Sequence, residues 1–355
     1  MYMRGGKMVQ KEITTRQPLL NEKGDIANPG YAKTLIWDYN RENITKRATR
    51  IKEWDYYYIG NDDSAICLTI ADLGYVGALS ASVLDFNEPS QITKSSVCLF
   101  PIGKMKMPRT SVVGDAVWKN KDGVEMSFLN DGQTRHLFGK YPKFGNNGEE
   151  LTFDIVLTDA PKESMVIATP FAKKKHFYYN QKINCIKAKG VYTLGDKEYK
   201  LDEKTKSLAT LDWGRGVWTY DNTWYWGSLQ AILEDGSTFG FNIGYGFGNN
   251  DQATENMVFY KGISHKLDEV TFNIPKNDDG SFNYLGDWTF TSNDDRFYME
   301  MKPIIDRYAP FDLKIMAMIP HQVFGHFTGY VKLDDGTKIE VSNLLGFAEH
   351  VHNKW

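Results

Sequence analysis

The nine residues from Phe239 to Phe247, FGFNIGYGF, alternate large apolar side chains with small or polar ones. A period of two places Phe239, Phe241, Ile243, Tyr245 and Phe247 on one face of an extended strand. Leu151, Phe153, Ile155 and Leu157 alternate in the same way within LTFDIVLT, Leu151 to Thr158. Between such runs stand Asp122-Gly123, Asp131-Gly132, Asn147-Gly148, Asp235-Gly236, Asp279-Gly280 and Asp335-Gly336. These dipeptides supply the positive φ angles that tight hairpin turns require. They recur too often for long helices, and no stretch keeps a helical period beyond a turn or two. The pattern predicts an all-β chain of adjacent hairpins, hence antiparallel sheets in barrels or sandwiches.

The chain has 355 residues, which at roughly 150 per domain suggests two domains or one large one. Hydrophobic residues at 41% and charged residues at 25% fit a globular protein and exclude a disordered one. A net charge of −3 carries no electrostatic footprint for nucleic acid, so no nucleic-acid partner is expected. Cys67, Cys98 and Cys185 are far apart and form no Cys-x-x-Cys pair. Neither a disulfide framework nor a thiolate zinc site is supported, and reduced, mostly buried thiols are expected. The opening MYMRGGKMVQKEITTRQ lacks the apolar run of a signal peptide. No stretch approaches the ~20 apolar residues that cross a membrane. The expectation is a soluble, cytoplasmic protein that does not span a membrane.

GVYTLGDKEYKL from Gly190 leads on to ATLDWGRGVW, and GYVKLDDGTKIEV from Gly329 leads on to LGFAEHVHNKW. Each is a hairpin followed by a closing segment rich in acid and aromatic residues, as a duplicated barrel would produce. The basic run Lys173-Lys174-Lys175 and the stretch after it offer a boundary. The expected division is a tail over 1–18, a first β domain over 19–185 and a second over 186–355.

LDWGRGVWTYDNTWYW, Leu211 to Trp226, crowds four tryptophans around Arg215, Asp212 and Asp221. Its glycines allow a sharp bend or bulge, and Arg215 could hold an anion bidentately or pair structurally with Asp212. Trp224 and Trp226 share a strand face and line either a core or a pocket. In KEWDYYYIG, Lys52 to Gly60, Glu53, Asp55 and Tyr57 face one way while Trp54, Tyr56 and Tyr58 face the other. Two carboxylates in one cavity could do acid–base work if burial separates their pKa values; on an exposed face they would be inert. His176 could be a pocket base or a surface residue. His350 and His352 share a face and could hold a metal with His321, His326 or Glu349, although no metal site is expected. There is no Gly-x-Ser-x-Gly elbow, phosphate loop or His-Glu-x-x-His helix. GYGFGNN, Gly244 to Asn250, lacks the third glycine and following helix of a dinucleotide site. Its glycines would instead admit another backbone or a ligand.

YYNQKINCIKAKGVYTLGDKEYKLDEKTKSLATLDWGRGVW, Tyr178 to Trp218, resembles the lipocalin-like proteins related to carotenoid 1,2-hydratase. LLNEKGDIANPGYA, IKEWDYYYI, LDWGRGVWTYDNTWYW and GFAEHVHNKW resemble a bacterial branch of that group, the domain of unknown function 2804 family. The resemblance implies two calycin-like, lipocalin-like antiparallel barrels or half-barrels with a hydrophobic cleft inside or between them. It also implies ligands of isoprenoid or polyketide type, handled without a cofactor. The hydratase pattern reads approximately Asp-His-Glu-Trp-Gly, whereas here Asp212 is followed directly by Trp213-Gly214. Proton donation by that His and Glu is therefore not available, and Arg215 stays protonated.

The leading expectation is a protein that binds a bulky hydrophobic or amphipathic small molecule, lined by Trp54, Tyr179, Trp213, Arg215, Trp218, Trp224, Trp226 and Asn242. The alternative is a cofactor-free isomerase, cyclase or hydratase using Asp212, Glu53, Asp55 or His176. Stacked aromatics in a shallow groove would instead suit a sugar.

Overall fold

The computed structural model describes residues 10–312 and 317–354. Two antiparallel sheets, of thirteen and ten strands, contain most of the chain, and each curls into a half-barrel. Among the described residues there is no α-helix, only two short 3-10 turns, Arg41–Asn43 and Ala48–Arg50. The all-β, lipocalin-like expectation is met.

The main path of the first sheet runs, in spatial order, through Ser90–Leu99, Val76–Asp85, Ser64–Asp72, Ile51–Gly60, Leu208–Val217, Phe177–Leu194, Leu151–Thr158, Arg135–Tyr141, Glu125–Asn130 and Ala116–Lys119, with Gly30–Ala32, Met165–Pro170 and Lys197–Leu201 paired off it. The main path of the second runs through Ile263–Lys266, Met257–Tyr260, Thr238–Tyr245, Asp221–Ile232, Lys338–Lys354, Ala317–Lys332, Phe297–Tyr308, Trp288–Ser292 and Val270–Asn273. Both orders describe one plan: a four-stranded meander, the last strand of the half, the long strand before it, then a returning meander. The two echoing segments occupy equivalent places in it. Gly190 and Gly329 have φ of 147° and 158°, and a Cβ on either would collide with a cross-strand carbonyl, that of Asp154 or Tyr298.

Each half-barrel has its own interior. Tyr57, Phe128, Ile155, Tyr179, Leu211 and Trp213 are among the residues filling the first. Phe239, Phe241, Ile243, Trp288, Phe290 and Phe327 are among those filling the second. Period two thus places the FGFNIGYGF set from Phe239 to Tyr245 inside, as its alternation predicts. The outer faces of the same strands are also apolar, and they pack sheet against sheet. One contact layer contains Tyr56, Tyr58, Phe86, Trp226, Phe324 and Phe347; the other contains Tyr178, Trp218, Phe247 and Met257.

Several expectations change in this frame. The 185/186 boundary falls within one strand, Phe177–Leu194, and the chain passes between sheets at Trp218–Tyr220, after the first sheet has taken back Leu208–Val217. Of the expected tail, residues 1–9 lie outside the described residues. Residues 10–18 are tied down: Lys11 N–H donates to the Gln252 carbonyl and Ile13 N–H to that of Tyr31. No bend occurs at the DWGRGVW glycines, since Leu208–Val217 pairs with Ile51–Gly60 in unbroken register. The bulge lies instead in the neighbouring strand between Ile183 and Ile186. There Cys185 takes φ of 61°, and Asn184 Nδ2 reaches Ser228 Oγ at 2.7 Å across to the second sheet. An added Cβ at Gly240 would stand 2.9 Å from Cys185 Sγ, so this glycine admits the opposing sheet. All three cysteines are free thiols.

Candidate functional site

Alternation along five strands builds one site. Trp54 and Tyr56, Tyr178 and Lys182, and Asp212 project outward from the first sheet; Trp224 and Trp226, and Glu349 and Val351, project outward from the second. Between them lies a cleft of about 320 Å³, also lined by Glu255 and Arg307.

The duplication continues into this cleft. Asp212 stands between Tyr56 on one neighbouring strand and Lys182 on the other. Glu349 occupies the equivalent place in the second sheet, between Trp226 and Gln322. The two triplets interlock. Lys182 Nζ sits 2.7 Å from Asp212 Oδ2 and 3.8 Å from the centroid of the Trp226 ring. Gln322 donates to Glu349, and the same amide lies 3.4 Å from the Tyr56 hydroxyl. Asn180 Nδ2 donates to Asp212 Oδ1 at 2.6 Å, and Arg307 crosses to donate to Ser82 Oγ at 2.8 Å.

Electrostatics set the protonation. Burial pushes the Glu349 carboxyl up to about 7, opposed by the charges of Arg307 and Lys182 and reinforced by that of Asp212. Burial likewise raises Glu255 to about 7, with Lys182 opposing and Asp212 reinforcing. Two carboxyls able to hold a proton near neutrality thus share a cleft with an ion-paired carboxylate and two cations, as general acid–base chemistry requires.

The walls are aromatic. Trp54 stacks on Tyr178 with centroids 6.3 Å apart and meets Trp218 edge-on at 5.2 Å. Phe247 lies edge-on against Trp218 at 4.9 Å and Trp224 at 5.2 Å. The glycines of DWGRGVW serve this wall. A Cβ on Gly214 would fall inside the Trp54 indole, and one on Gly216 would stand 3.2 Å from Trp218 Nε1. That Nε1 is buried and has no hydrogen-bond partner among the described residues, leaving a donor for a bound acceptor.

The predicted residues divide between two places. Asp212, Trp54, Trp218, Trp224 and Trp226 meet in the cleft. Asn242 stands behind it, accepting from Trp226 Nε1 at 2.7 Å. Arg215, Glu53, Asp55, Trp213 and Tyr179 are buried on the opposite faces of their strands. Arg215 pairs with Asp55 at 2.9 Å, not with Asp212, because residues three apart on a strand face opposite ways. It also donates to the carbonyls of Trp54 and Pro108. Burial raises the Asp55 carboxyl and the Arg215 charge lowers it, while Glu53 accepts from Tyr39 at 2.8 Å and from Arg41. Tyr179 donates to the Trp37 carbonyl at 2.9 Å. This network braces the first half-barrel and lies outside the cleft lining.

His176 is also outside that lining, with Nδ1 2.9 Å from the Lys174 carbonyl; burial lowers its pKa, and Lys46, Lys173 and Arg50 lower it further. His350 contacts the Tyr284 hydroxyl at 2.7 Å and His352 contacts Asp221 at 2.8 Å. No group of three or more potential metal ligands occurs among the described residues. The residue reading missed Lys182, Glu255 and Arg307, and it saw Glu349 only as a possible metal ligand. Aligning the closing segments on their last residues, Trp218 and Trp355, sets Asp212 against Glu349, and that signal was present in the sequence.

The fold is similar to kievitone hydratase from Nectria haematococca, with 11% identity, coverage of 95% of this chain and 98% of that one, and a TM-score of 0.52. It is similar also to CghA, with 10% identity, coverage of 96% and 97%, and a TM-score of 0.50. At such identity the likeness establishes the fold alone. No curated protein matches the sequence. Residues 10–355 match the domain of unknown function DUF2804, and the chain belongs to that family.

Proposed function

We propose that the protein binds a bulky amphipathic small molecule, of lipid or terpenoid type, in the cleft between its half-barrels. The observation behind this reading is an aromatic cavity into which Lys182, Asp212, Glu255, Glu349 and Arg307 converge, the usual composition of a small-molecule site. The unpartnered Trp218 Nε1 adds a donor for a polar group on the ligand. Rings packed edge-on between two sheets suit an enclosed apolar body better than a sugar stacked in an open groove. Native mass spectrometry of freshly purified protein, followed by solvent extraction, is the test. A co-purified hydrophobic molecule, absent from a Trp226→Ala preparation, is expected. An empty mass, with no tryptophan quenching by isoprenoid or polyketide probes, sinks the reading.

The paired carboxyls favour a second reading, cofactor-free proton transfer on that ligand. Glu349 or Glu255, protonated below about pH 7, would donate to an alkene carbon, where water then adds, or to a carbonyl oxygen. Asp212 would accept a proton from water or from the substrate. Hydration is the first reaction to assay, since a solved structure of similar fold is a hydratase. Asp212→Asn and Glu349→Gln should each lower turnover by about 10²-fold or more while leaving ligand affinity within a few-fold. A loss of affinity instead would assign both residues to structure or binding.

A further inference from the structure

We propose that the apolar lip of the cleft, Val97, Leu99, Phe100 and Ile102, docks the protein on an anionic membrane surface. The lip continues the cleft wall. Thr69, Ser80 and Ser95 lie side by side on neighbouring strands, then Ala71, Ala78 and Val97, then Leu73 with Val76 and Leu99. Thr69, Ala71, Leu73, Ser80 and Ser95 line the cleft; the outer members of these rows emerge into solvent. Val97, Leu99, Phe100 and Ile102 are 59%, 74%, 56% and 39% exposed. Phe100 and Ile102 adopt φ of 51° and 50°, and bulky or β-branched residues rarely accept that backbone. Two hydrogen bonds impose it, from Phe100 N–H to the Tyr75 carbonyl and from Ile102 N–H to the Gly74 carbonyl.

Cations surround the lip. Lys104 and Lys106 follow it directly and are exposed. Gly74 packs against the backbone of Thr49, which brings up Lys46, Arg47 and Arg50, and Arg50 donates to the Trp218 carbonyl at 3.1 Å. The run Lys173-Lys174-Lys175 joins them through His176, whose electrostatic neighbours are Lys46, Lys173 and Arg50. Three acids lie among these cations. Asp72 accepts from the backbone N–H groups of Gly74 and Gly103, Asp25 accepts from Lys175 N–H, and Glu42 pairs with Arg109.

Exposed apolar side chains ringed by lysine and arginine match the interface of an anionic bilayer. A second copy placed face to face would set these cations against themselves, which disfavours a symmetric dimer through this patch. Docking here would open the cleft toward the acyl layer, though binding to the bilayer does not depend on the ligand reading.

The test is co-sedimentation of the full chain with vesicles of phosphatidylcholine alone and of an equal mixture with phosphatidylserine. Binding to the mixture only is expected, weakened by added salt. Leu99→Ser with Phe100→Ser, and Lys104→Glu with Lys106→Glu, should each weaken it about tenfold or more with the circular dichroism spectrum unchanged. Trp224→Ala, which alters the cleft wall, should leave it intact, separating surface docking from capture of single lipids. Absence of sedimentation with the anionic vesicles, or binding that both double variants retain, overturns the proposal. Self-association in ultracentrifugation that Leu99→Ser with Phe100→Ser abolishes assigns the patch to a second copy and overturns it equally.

Discussion

At the scale of single residues, Glu255 and Glu349 link structure to pH. Their carboxyls titrate near 7 in the fold and near ~4.3 in an unfolded chain. Between those values the folded protein binds more protons than the unfolded one, so these groups lose stability for the fold as pH rises. The slope is at most ~1.4 kcal/mol per pH unit for each group. Glu349→Gln should therefore gain on the wild type between pH 5 and pH 8 in thermal melts. A constant gap across that range would place the charged form in a better solvated site than its burial implies. Gly214 makes a second case. Alanine there must displace the Trp54 indole, costing ~1–3 kcal/mol of overpacking; urea denaturation of Gly214→Ala measures it, and a wild-type midpoint would mean that Trp54 moves freely.

At the scale of elements, one strand divides its labour between faces. Leu208–Val217 sends Leu211, Trp213 and Arg215 into the first core and Asp212 into the cleft. Its neighbour Phe177–Leu194 does the same until the bulge at Asn184 and Cys185 aims both side chains at the second sheet. Asn184 Nδ2 contacts Ser228 Oγ and the Phe241 carbonyl at 3.2 Å, and Cys185 Sγ lies 3.3 Å from the Phe239 carbonyl. Asn184→Ala strands these partners in a buried seam, at ~1–3 kcal/mol. The loss should appear in urea denaturation and as faster amide exchange along Thr238–Tyr245. Protection unchanged there would show that the sheets dock without this bulge.

At the scale of the whole molecule, neither half can be understood alone. The outer faces carry Tyr56, Tyr58, Trp226, Phe324 and Phe347, all buried only because the sheets meet. A fragment ending at Val217 would expose its side of this layer, Tyr56, Tyr58 and Phe86, along with Tyr178, and large exposed apolar patches aggregate. Such a fragment should precipitate or bind hydrophobic dyes, whereas the full chain stays dispersed. A soluble fragment with native near-ultraviolet circular dichroism would show the halves to be independent. Among the described residues no helix is long and apolar enough to cross a membrane.

Alternation and turn dipeptides determined the all-β class and the strand faces, because side-chain period and turn φ are local properties of the chain; the family resemblance rested on particular segments such as LDWGRGVWTYDNTWYW and GFAEHVHNKW. They placed Glu53 and Asp55 together on one face, and Trp54 and Tyr56 on the other. Which face met solvent, core or cleft was decided only in three dimensions, since both faces of these strands are apolar enough to be buried. The partner of Arg215 turned out to be Asp55, 160 residues away, beyond any local spacing rule. Lys182 reached Asp212 across paired strands separated by a hairpin, and Glu349 came within the electrostatic reach of both from the other sheet. The carboxyl pKa values near 7 likewise exist only after that assembly, because desolvation comes from packing two sheets together.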